Sequence, residues 1–280
     1  MIKCVAIDMD GTLLNENHQI TEENVKSIKK AQEIGIEVVI ATGRSYPEAI
    51  SVLNEEGITC PVICVNGAEV RSSNGEITSF HPLNKVSAKQ TLEQLEESGM
   101  YVEFFTSEGI FTRDIERGFS LFREAMMETE KEKMEEYLKE RVDYIHNVDS
   151  FDEIFQNENH HIYKLLAFSL DVKQINDAKK QLEKIDGIAV SSSGHDNLEI
   201  NGIEAQKGVA LEAFVKEKGI TLMDTMAIGD NYNDLSMFKR VGRAVAMGNA
   251  DATVKGQCHF VTLTNDESGV AKAIYDAITG

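Results

Sequence analysis

Two aspartates that follow a short apolar run are the side chains of this chain best suited to do chemistry. The stretch Asp8–Thr12 reads D-M-D-G-T and comes directly after Ile2–Ile7, a mostly apolar run that predicts a buried strand. In extended chain Asp8 and Asp10 project to the same side, and Gly11 lets the chain turn away sharply. Two carboxylates that converge on one small volume can hold a hard cation, or can divide the roles of nucleophile and acid/base. Because Asp-Gly is also an ordinary turn, the interpretation depends on matching groups elsewhere in the chain.

Other strand and helix ends carry polar groups of the matching kinds. The buried strand Ile36–Ala41 runs into Thr42, the buried strand Thr225–Ile228 runs into the stretch 229–234, and Lys207 opens a helix. The alternation of strands and helices predicts a parallel sheet with helices on its faces. The carboxyl ends of such strands meet at one edge, where ligands bind. We therefore expect one site formed by the residues at these ends: Asp8, Asp10, Thr42, Lys207, Asp230 and Asp234.

This set of side chains is what phosphoryl transfer from a monoester requires. A carboxylate can attack phosphorus, and Mg²⁺ held by carboxylate and carbonyl oxygens can cancel the repulsion between nucleophile and phosphate. A hydroxyl and an ammonium can hold the remaining phosphate oxygens, while a second acid serves the leaving oxygen and then activates water. Ordinary structural interpretations also exist: Lys207 as a surface lysine, Thr42 as a turn cap, and Asp230 with Asp234 as a helix cap.

After residue 82 the alternation of helices with buried strands that end in polar residues stops. This change predicts a second domain inserted into the first. Between 83 and 190 the pattern indicates an α+β insert, with paired strands at Tyr101–Phe105 and Ile110–Thr112 and a further strand at His161–Phe168. The charged run Glu128–Glu140 is typical of a solvated helix face. Leu198–Ile200 predicts the first strand after the insert. The predicted domains are therefore residues 1–82 with 191–280, and residues 83–190.

Composition and charge exclude several classes of function. A net charge of −19 over 280 residues argues against nucleic acid or an anionic membrane as partner, so an anion site must carry its own cation, lysine or helix N-terminus. No apolar run has the length of a membrane span, and the N-terminus lacks the features of a signal peptide. The four cysteines lack C-x-x-C spacing, which favours reduced core residues in a cytoplasmic protein. The oligomeric state is left open.

Four motifs, in order, carry a resemblance to a known family. They are D-M-D-G-T-L-L at 8–14, the strand end at Thr42-Gly43-Arg44, the helix start at Lys207, and G-D-N-Y-N-D at 229–234. The chain resembles the haloacid dehalogenase superfamily, specifically the Cof-type phosphatases, whose large cap (subclass IIB) is inserted after the third core strand. The resemblance implies an α/β fold, with a doubly wound, parallel-sheet, Rossmann-like core and an inserted α+β cap domain. It also implies a Mg²⁺-dependent phosphatase that works through an aspartyl-phosphate.

The resemblance further implies a role for each motif residue. Asp8 would be the nucleophile and Asp10 the general acid/base. Mg²⁺ would be held by the Asp8 carboxylate, the Asp10 backbone carbonyl and Asp230, and Asp234 would orient Lys207 or a metal-bound water. The residues implied to contact phosphate, substrate or a metal-bound water are Thr42, Gly43, Arg44, Asn66, Lys207 and Asn233, and the supporting residues are Gly11 and Asp234.

The implied substrates are small, and two alternatives to a phosphatase stay open. Sugar phosphates or similar organic phosphates are expected, including a nucleotide or flavin precursor. A phosphomutase would exchange sugar phosphate isomers, and a non-catalytic sensor would bind a phosphorylated ligand without turnover, although the intact Asp10 argues against a sensor. Specificity is expected in the insert, where the plausible contacts are also ordinary strand residues: Glu103, Arg113, Tyr163 and Lys164. Metal binding is not expected of the histidines His81, His160, His161 and His195.

Overall fold

The computed structural model describes residues 1–125, 138, 141–142 and 144–279. Contacts divide the chain into two compact units, Met1–Phe80 with Glu204–Gly280, and His81–Ile203. The charged run Glu128–Glu140, for which the sequence predicts a solvated helix face, lies outside the described residues except for position 138.

The strands and helices are numbered in chain order over the described residues. The strands are β1 (Cys4–Ile7), β2 (Glu37–Ala41), β3 (Val62–Cys64), β4 (Glu69–Arg71), β5 (Ile77–Phe80), β6 (Tyr101–Thr106), β7 (Gly109–Thr112), β8 (Ile145–Asn147), β9 (Ile162–Phe168), β10 (Ile188–Ser191), β11 (Asn197–Gly202), β12 (Thr225–Gly229), β13 (Arg243–Ala246) and β14 (Phe260–Val261). The α-helices are α1 (Glu22–Glu33), α2 (Tyr46–Glu55), α3 (Lys85–Glu97), α4 (Ile115–Ala125), α5 (Asp152–Gln156), α6 (Val172–Leu182), α7 (Lys207–Glu217), α8 (Leu235–Phe238), α9 (Ala252–Lys255) and α10 (Gly269–Thr279).

One sheet organises the first unit. Over the described residues it has eight strands, in the order β14-β13-β12-β1-β2-β3-β4-β5. The strands from β14 to β3 are parallel, whereas β4 and β5 are antiparallel additions at one edge. β1 lies between β12 and β2 and is buried along its whole length, which is why its sequence is apolar without alternation. The ends of β12, β1 and β2 therefore lie side by side.

Helices cover both faces of this sheet. α7 and α8 pack on one face, against small side chains that include Cys4 and Ala6. α1 packs against α10 and contacts β2, and its buried residues Val25 and Ile28 do not belong to the α7–α8 cluster. The predicted α/β fold, with a doubly wound and mainly parallel sheet, is confirmed.

The antiparallel strands β4 and β5 are not predicted by the sequence pattern. Both are short, β5 is largely exposed, and neither ends in a polar cluster of the kind that follows β1, β2 and β12. The second unit therefore follows the third parallel strand, β3, with the antiparallel pair β4 and β5 in between.

The second unit has a mixed sheet and its own apolar core. Over the described residues its strands lie in the order β10-β11-β9-β6-β7-β8, and all pairs are antiparallel except β7–β8. Residues of α3 and α6 pack on one face of this sheet with Phe104 and Leu165. The predicted α+β character of the insert, including the paired strands β6 and β7, is confirmed.

Residues 191–203 belong to the second unit, which corrects the predicted return to the first unit at residue 191. β11 includes the strand predicted at Leu198–Ile200 and pairs with β9 and β10. Ile200 lies opposite Leu165 and Val190 in the core of the second unit. The prediction was wrong because β11, like strands of the first unit, ends in a polar residue beside a glycine, Asn201-Gly202. The boundary between the units falls after Ile203 instead.

Two of the four insert residues suggested as substrate contacts form buried ion pairs within the second unit. Glu103 and Lys164 are buried ion-pair partners of Arg141 and Glu199, respectively. The other two are Arg113, which is exposed, and Tyr163, which is buried. A role for these four residues in specificity stays a prediction.

Two further sequence predictions concern membranes and cysteines. Within the described part of the chain, no helix combines the length and apolar character that crossing a membrane requires. The four cysteines are unpaired, and Cys4, Cys60 and Cys64 are buried.

Candidate active site

Lys207 joins three of the four sequence motifs in one buried cluster. Its side chain is fully buried at the start of α7. Its Nζ donates to Asp8 Oδ1 at 2.6 Å and to Asp234 Oδ1 at 2.7 Å. These partners lie 199 and 27 positions away along the chain, just beyond β1 and β12. The interpretation of Lys207 as a surface lysine is therefore wrong.

A close approach between α7 and α8 places this lysine. A Cβ at Gly208 would overlap the backbone carbonyl oxygen of Ser236, so the position requires glycine. The Gly208 backbone N–H also donates to Ser236 Oγ at 3.0 Å. The first turn of α7 is thus held against the segment that follows Asp234, and the lysine beside Gly208 reaches the carboxylates.

The loop after β12 gives its two aspartates different surroundings. Asp230 Oδ1 accepts a hydrogen bond from Thr12 Oγ1 at 2.9 Å. Asp234 Oδ1 accepts from Lys207, while its Oδ2 accepts from the backbone N–H groups of Asp230 at 3.0 Å and Asn231 at 3.1 Å. Because both Asp234 oxygens bind the chain itself, Asp234 is suited to hold the loop and the lysine. Asp230 is better suited to bind a metal ion.

The carboxylates of Asp8, Asp230 and Asp234 form a tight acidic cluster. One oxygen from each lies within 4.8 Å of the others. Burial and the nearby Asp234 charge raise the pKa of Asp8 well above its usual value, and the same two causes raise the pKa of Asp230 to about 7. Burial alone would lower the pKa of Lys207, but the charges of Asp234 and Asp8 raise it, so the lysine is an ammonium.

The charge and the donor atoms of the site fit a hard divalent cation. Among the described residues, four aspartates face two cationic side chains, so ionisation of all four would leave an excess of two negative charges. All candidate donors are oxygens, which Mg²⁺ prefers. A divalent cation would cancel the excess charge and relieve the repulsion that raises the pKa values of Asp8 and Asp230. Coordination of Mg²⁺ by Asp8, Asp230 and the backbone carbonyl of Asp10 stays a prediction.

Asp10 is bound by Arg44. Arg44 Nε donates to Asp10 Oδ2 at 3.0 Å and to Oδ1 at 3.2 Å, and Nη2 donates to Oδ1 at 2.6 Å. The Asp10 side chain is 52% exposed and that of Arg44 is 18% exposed. Packing around Asp10 opposes its ionisation, but the charge and hydrogen bonds of Arg44 outweigh this effect and hold the pKa of Asp10 below its usual value. Arg44, for which substrate contact is predicted, thus contacts the acid/base candidate.

Thr42 and Asn66 lie just beyond the ends of β2, which pairs with β1, and of β3, which pairs with β2. Thr42 follows β2 and is fully buried, and its Oγ1 accepts from the Arg44 backbone N–H at 3.1 Å across Gly43. Asn66 follows β3 with φ +60°, and the preceding Val65 has φ +48°. A positive φ is costly for a β-branched residue and is typical of functional sites. Both strand ends lie at the predicted edge of the sheet, and contact of these residues with phosphate stays a prediction.

Asn233 has an amide oxygen that suits a donor outside the protein chain. Its Nδ2 donates to Asn66 Oδ1 at 3.3 Å. Its Oδ1 is buried and, over the described residues, has no hydrogen-bond partner. An amide oxygen accepts hydrogen bonds and therefore repels an ionised phosphate oxygen. Of the two partners predicted for Asn233, phosphate and a metal-bound water, this oxygen fits the water.

Two contacts of the site involve side chains that the sequence does not single out. Thr12 donates to Asp230, and Asn249 Nδ2 donates to the Gly11 carbonyl oxygen at 2.7 Å. Asn249 also accepts from the Asn265 backbone N–H at 3.1 Å. The other motifs were found because a polar residue follows a buried strand. Asn249 follows β13 in the same way, so the same rule could have identified it.

We expect Gly11→Ala to impair the site by displacing Asp230. Gly11 has φ +72°, and a Cβ there would lie 2.5 Å from Asp230 Oδ2. A left-handed alanine should lower the free energy of unfolding by about 1–2 kcal/mol. Displacement of a metal-ligand candidate should lower turnover about 10²-fold. Urea unfolding and steady-state phosphate release measure the two effects.

Gly35→Ala is the matched control for this variant. Gly35 follows α1 with φ +85°, and no described atom lies within 4 Å of the position that its Cβ would take. We expect a similar loss of stability, about 1–2 kcal/mol, with turnover unchanged. Equal turnover of the two variants would contradict a functional role for Asp230 at this contact.

The family of the chain follows from comparison with known proteins. Residues 5–274 match the family model of the haloacid dehalogenase-like hydrolases. The chain therefore belongs to the haloacid dehalogenase-like hydrolase family, and the resemblance to its Cof-type members is confirmed.

Similar proteins match over almost their whole length. The phosphatase YwpJ of Bacillus subtilis (strain 168) is 36% identical over 281 residues, which cover 96% of this chain and 98% of YwpJ. The 5-amino-6-(5-phospho-D-ribitylamino)uracil phosphatase YwtE of the same strain is 32% identical over 289 residues, which cover 100% of this chain and 99% of YwtE. The solved structure of a haloacid dehalogenase-like hydrolase from B. subtilis has a TM-score of 0.90 at 34% identity, covering 98% of this chain and 99% of that one.

Proposed function

We propose that this protein is a Mg²⁺-dependent phosphatase that hydrolyses small phosphorylated metabolites through an aspartyl-phosphate. The observation that carries the proposal is the buried cluster of Asp8, Lys207 and Asp234 with Asp230 beside it. A carboxylate nucleophile, an ammonium and an excess of negative charge that suits a divalent cation meet in this cluster. Relatives named as phosphatases, at 36% and 32% identity over nearly the whole chain, support the same activity.

In the first step, the Asp8 carboxylate attacks the phosphorus of the bound monoester. A bond forms between an Asp8 oxygen and phosphorus, and the bond between phosphorus and the ester oxygen breaks. Asp10 donates a proton to the departing oxygen. In the free protein Arg44 favours the ionised form of Asp10, but a dianionic phosphate beside Asp10 favours its protonated form. The Lys207 ammonium and the Thr42 hydroxyl stabilise charge on the other phosphate oxygens.

In the second step, water hydrolyses the acyl phosphate. Asp10, now a carboxylate, takes a proton from the water as the water oxygen bonds to phosphorus. The bond between phosphorus and Asp8 then breaks, and inorganic phosphate leaves. Asp234 keeps Lys207 in place through both steps. Mg²⁺, when bound, supplies positive charge that offsets the repulsion between the phosphate and the carboxylates.

The proposed substrates are sugar phosphates and related organic phosphates. The name of the relative YwtE specifies a phosphorylated ribitylamino compound, which supports a substrate whose phosphate sits on a polyhydroxylated carbon chain. The net charge of −19 disfavours nucleic acid as partner. The unpaired, mostly buried cysteines support a cytoplasmic location.

Removal of Mg²⁺ should abolish phosphate release. The assay is release of inorganic phosphate from p-nitrophenyl phosphate and from a panel of phosphorylated metabolites, with Mg²⁺, with EDTA, and with Mg²⁺ restored. We expect turnover with Mg²⁺, background rates with EDTA and recovery after restoration, because the excess negative charge otherwise repels the substrate.

Other outcomes of the same panel would replace the proposal. Interconversion of sugar phosphate isomers with little net release would indicate a phosphomutase. Tight binding of one phosphate ester with no turnover of any would indicate a sensor. Release that is unchanged in EDTA would contradict the Mg²⁺ requirement.

A further inference from the structure

Arg44 is predicted from its position to contact substrate, yet its guanidinium binds Asp10 by three hydrogen bonds. We infer that Arg44 is a positioning residue, which holds the Asp10 carboxylate in the orientation for proton transfer to the leaving oxygen. The inference rests on the proposed function, in which Asp10 is the general acid/base.

The geometry of the contact restricts both oxygens of Asp10. Arg44 Nε lies 3.0 Å from Oδ2 and 3.2 Å from Oδ1, and Nη2 lies 2.6 Å from Oδ1. A planar guanidinium that binds two carboxylate oxygens fixes the plane of the carboxylate as well as its position. Because the Asp10 side chain is 52% exposed, it would otherwise be able to sample several rotamers. Proton transfer requires a single orientation within hydrogen-bond reach of the leaving oxygen.

Arg44 can act as a fixed support because the chain holds its backbone. The Arg44 backbone N–H donates to Thr42 Oγ1 at 3.1 Å, and its carbonyl oxygen accepts from the Val65 backbone N–H at 2.9 Å. The side chain itself is only 18% exposed. The turn after β2 therefore carries both the hydroxyl proposed to bind phosphate and the group that orients Asp10.

The contacts commit one edge of the Arg44 guanidinium to Asp10. The Nε and Nη2 groups of Arg44 point at Asp10, so these N–H groups could bind a phosphate only by releasing the carboxylate. Lys207, joined to Asp8 and Asp234, already supplies a cation at the proposed phosphate site. The contacts thus favour an action of Arg44 through Asp10.

Leaving-group dependence separates the two roles. A p-nitrophenolate departs without a proton, whereas the alkoxide of a sugar phosphate requires one, so loss of acid catalysis lowers kcat/KM selectively for the sugar phosphate. The parameter kcat/KM is chosen because it excludes the later hydrolysis step, which both esters share. We expect Arg44→Gln and Arg44→Lys to lower kcat/KM about 10²-fold for a sugar phosphate and less than about 10-fold for p-nitrophenyl phosphate. Arg44→Lys should not rescue the activity, because lysine keeps the charge but loses the planar fork.

A double variant tests whether Arg44 acts through Asp10. Asp10→Asn should show the same selectivity between the two esters. Arg44→Gln combined with Asp10→Asn should lose no more activity than Asp10→Asn alone, because residues that act as one unit are not additive. Arg71→Gln is the matched control. Arg71 also binds a carboxylate of its own unit, Glu69, at 2.7 Å, and its loss should leave the selectivity unchanged.

Two results would overturn the inference. One is an equal fall in kcat/KM for both esters in the Arg44 variants, and the other is multiplication of the single-variant effects in the double variant. Either result, with normal wild-type release, would make Arg44 a substrate-binding residue and leave the proposed function intact. Absence of phosphate release by the wild-type protein would overturn the proposed function and this inference together.

Discussion

Asp8→Asn should abolish phosphate release, with kcat lower by at least about 10⁴-fold, because an amide cannot replace a carboxylate as nucleophile. The variant should fold. Asparagine has nearly the same shape and keeps an acceptor for Lys207, whose Nζ donates to Asp8 at 2.6 Å. It also removes one charge from a cluster in which burial and like charges raise the pKa of Asp8. Phosphate release with saturating Mg²⁺ measures the activity, and circular dichroism checks the fold.

A covalent readout accompanies the rate measurement. Wild-type protein quenched in acid during turnover should carry one phosphoryl group by mass, and Asp8→Asn should carry none. The control is Asp276→Asn, because Asp276 lies at the surface of α10 in an ion pair with Lys272. We expect full turnover from the control. Retention of more than about a tenth of wild-type kcat by Asp8→Asn would exclude Asp8 as nucleophile.

The edge of the sheet at which the site forms is predictable from the sequence for a simple reason. Parallel strands that are buried on both faces have continuous apolar runs, and the first polar residue after such a run marks a carboxyl end. β1, β2 and β12 all follow this pattern, and they lie side by side in the sheet. Convergence of Asp8, Lys207 and Asp234 follows from topology, although 199 positions separate the first two in the chain.

The partners of individual side chains are harder to predict, because a polar residue at a strand end can turn in several directions. Arg44 has a long side chain, and its position gives no reason to choose Asp10 over a substrate phosphate. The pairing depends on the exact path of the two turns that carry the residues, which neither spacing nor periodicity determines. For the same reason, the sequence does not show which Asp234 oxygen binds Lys207 and which binds backbone N–H groups.

The misassigned strand β11 shows where the pattern rule fails. The rule recognises a buried strand with a polar end, but such a strand can pair with any sheet of the chain. β11 pairs antiparallel with β9 and β10 of the second unit, and its inward residues Leu198 and Ile200 pack in that core. Strand pairing is a long-range property, and register and partner follow from packing as a whole.

Lys207→Met should destabilise the first unit by about 3–5 kcal/mol, because removal of one member of a buried ion pair leaves its partners without a counter-charge. Lys207 is fully buried and is the shared partner of Asp8 and Asp234, at 2.6 and 2.7 Å. Methionine has a similar length and fills the space, so the loss reports charge rather than a cavity. Urea unfolding in Mg²⁺-free buffer measures the change, since bound Mg²⁺ would add its own stabilisation. Turnover should fall at least about 10²-fold, because the proposed phosphate site loses its ammonium.

A surface lysine at the other end of the same helix provides the comparison. Lys218 caps α7, is 44% exposed and pairs with Glu37 at 3.2 Å, so Lys218→Met should cost at most about 1 kcal/mol. Combining Lys207→Met with Asp234→Asn should recover part of the lost stability, because asparagine removes a stranded charge and keeps an acceptor for the N–H groups of Asp230 and Asn231. Equal urea midpoints for Lys207→Met and Lys218→Met would mean that the buried carboxylates do not need the lysine charge. In that case the electrostatic basis of the cluster, and with it the expectation that a divalent cation completes the site, would be wrong.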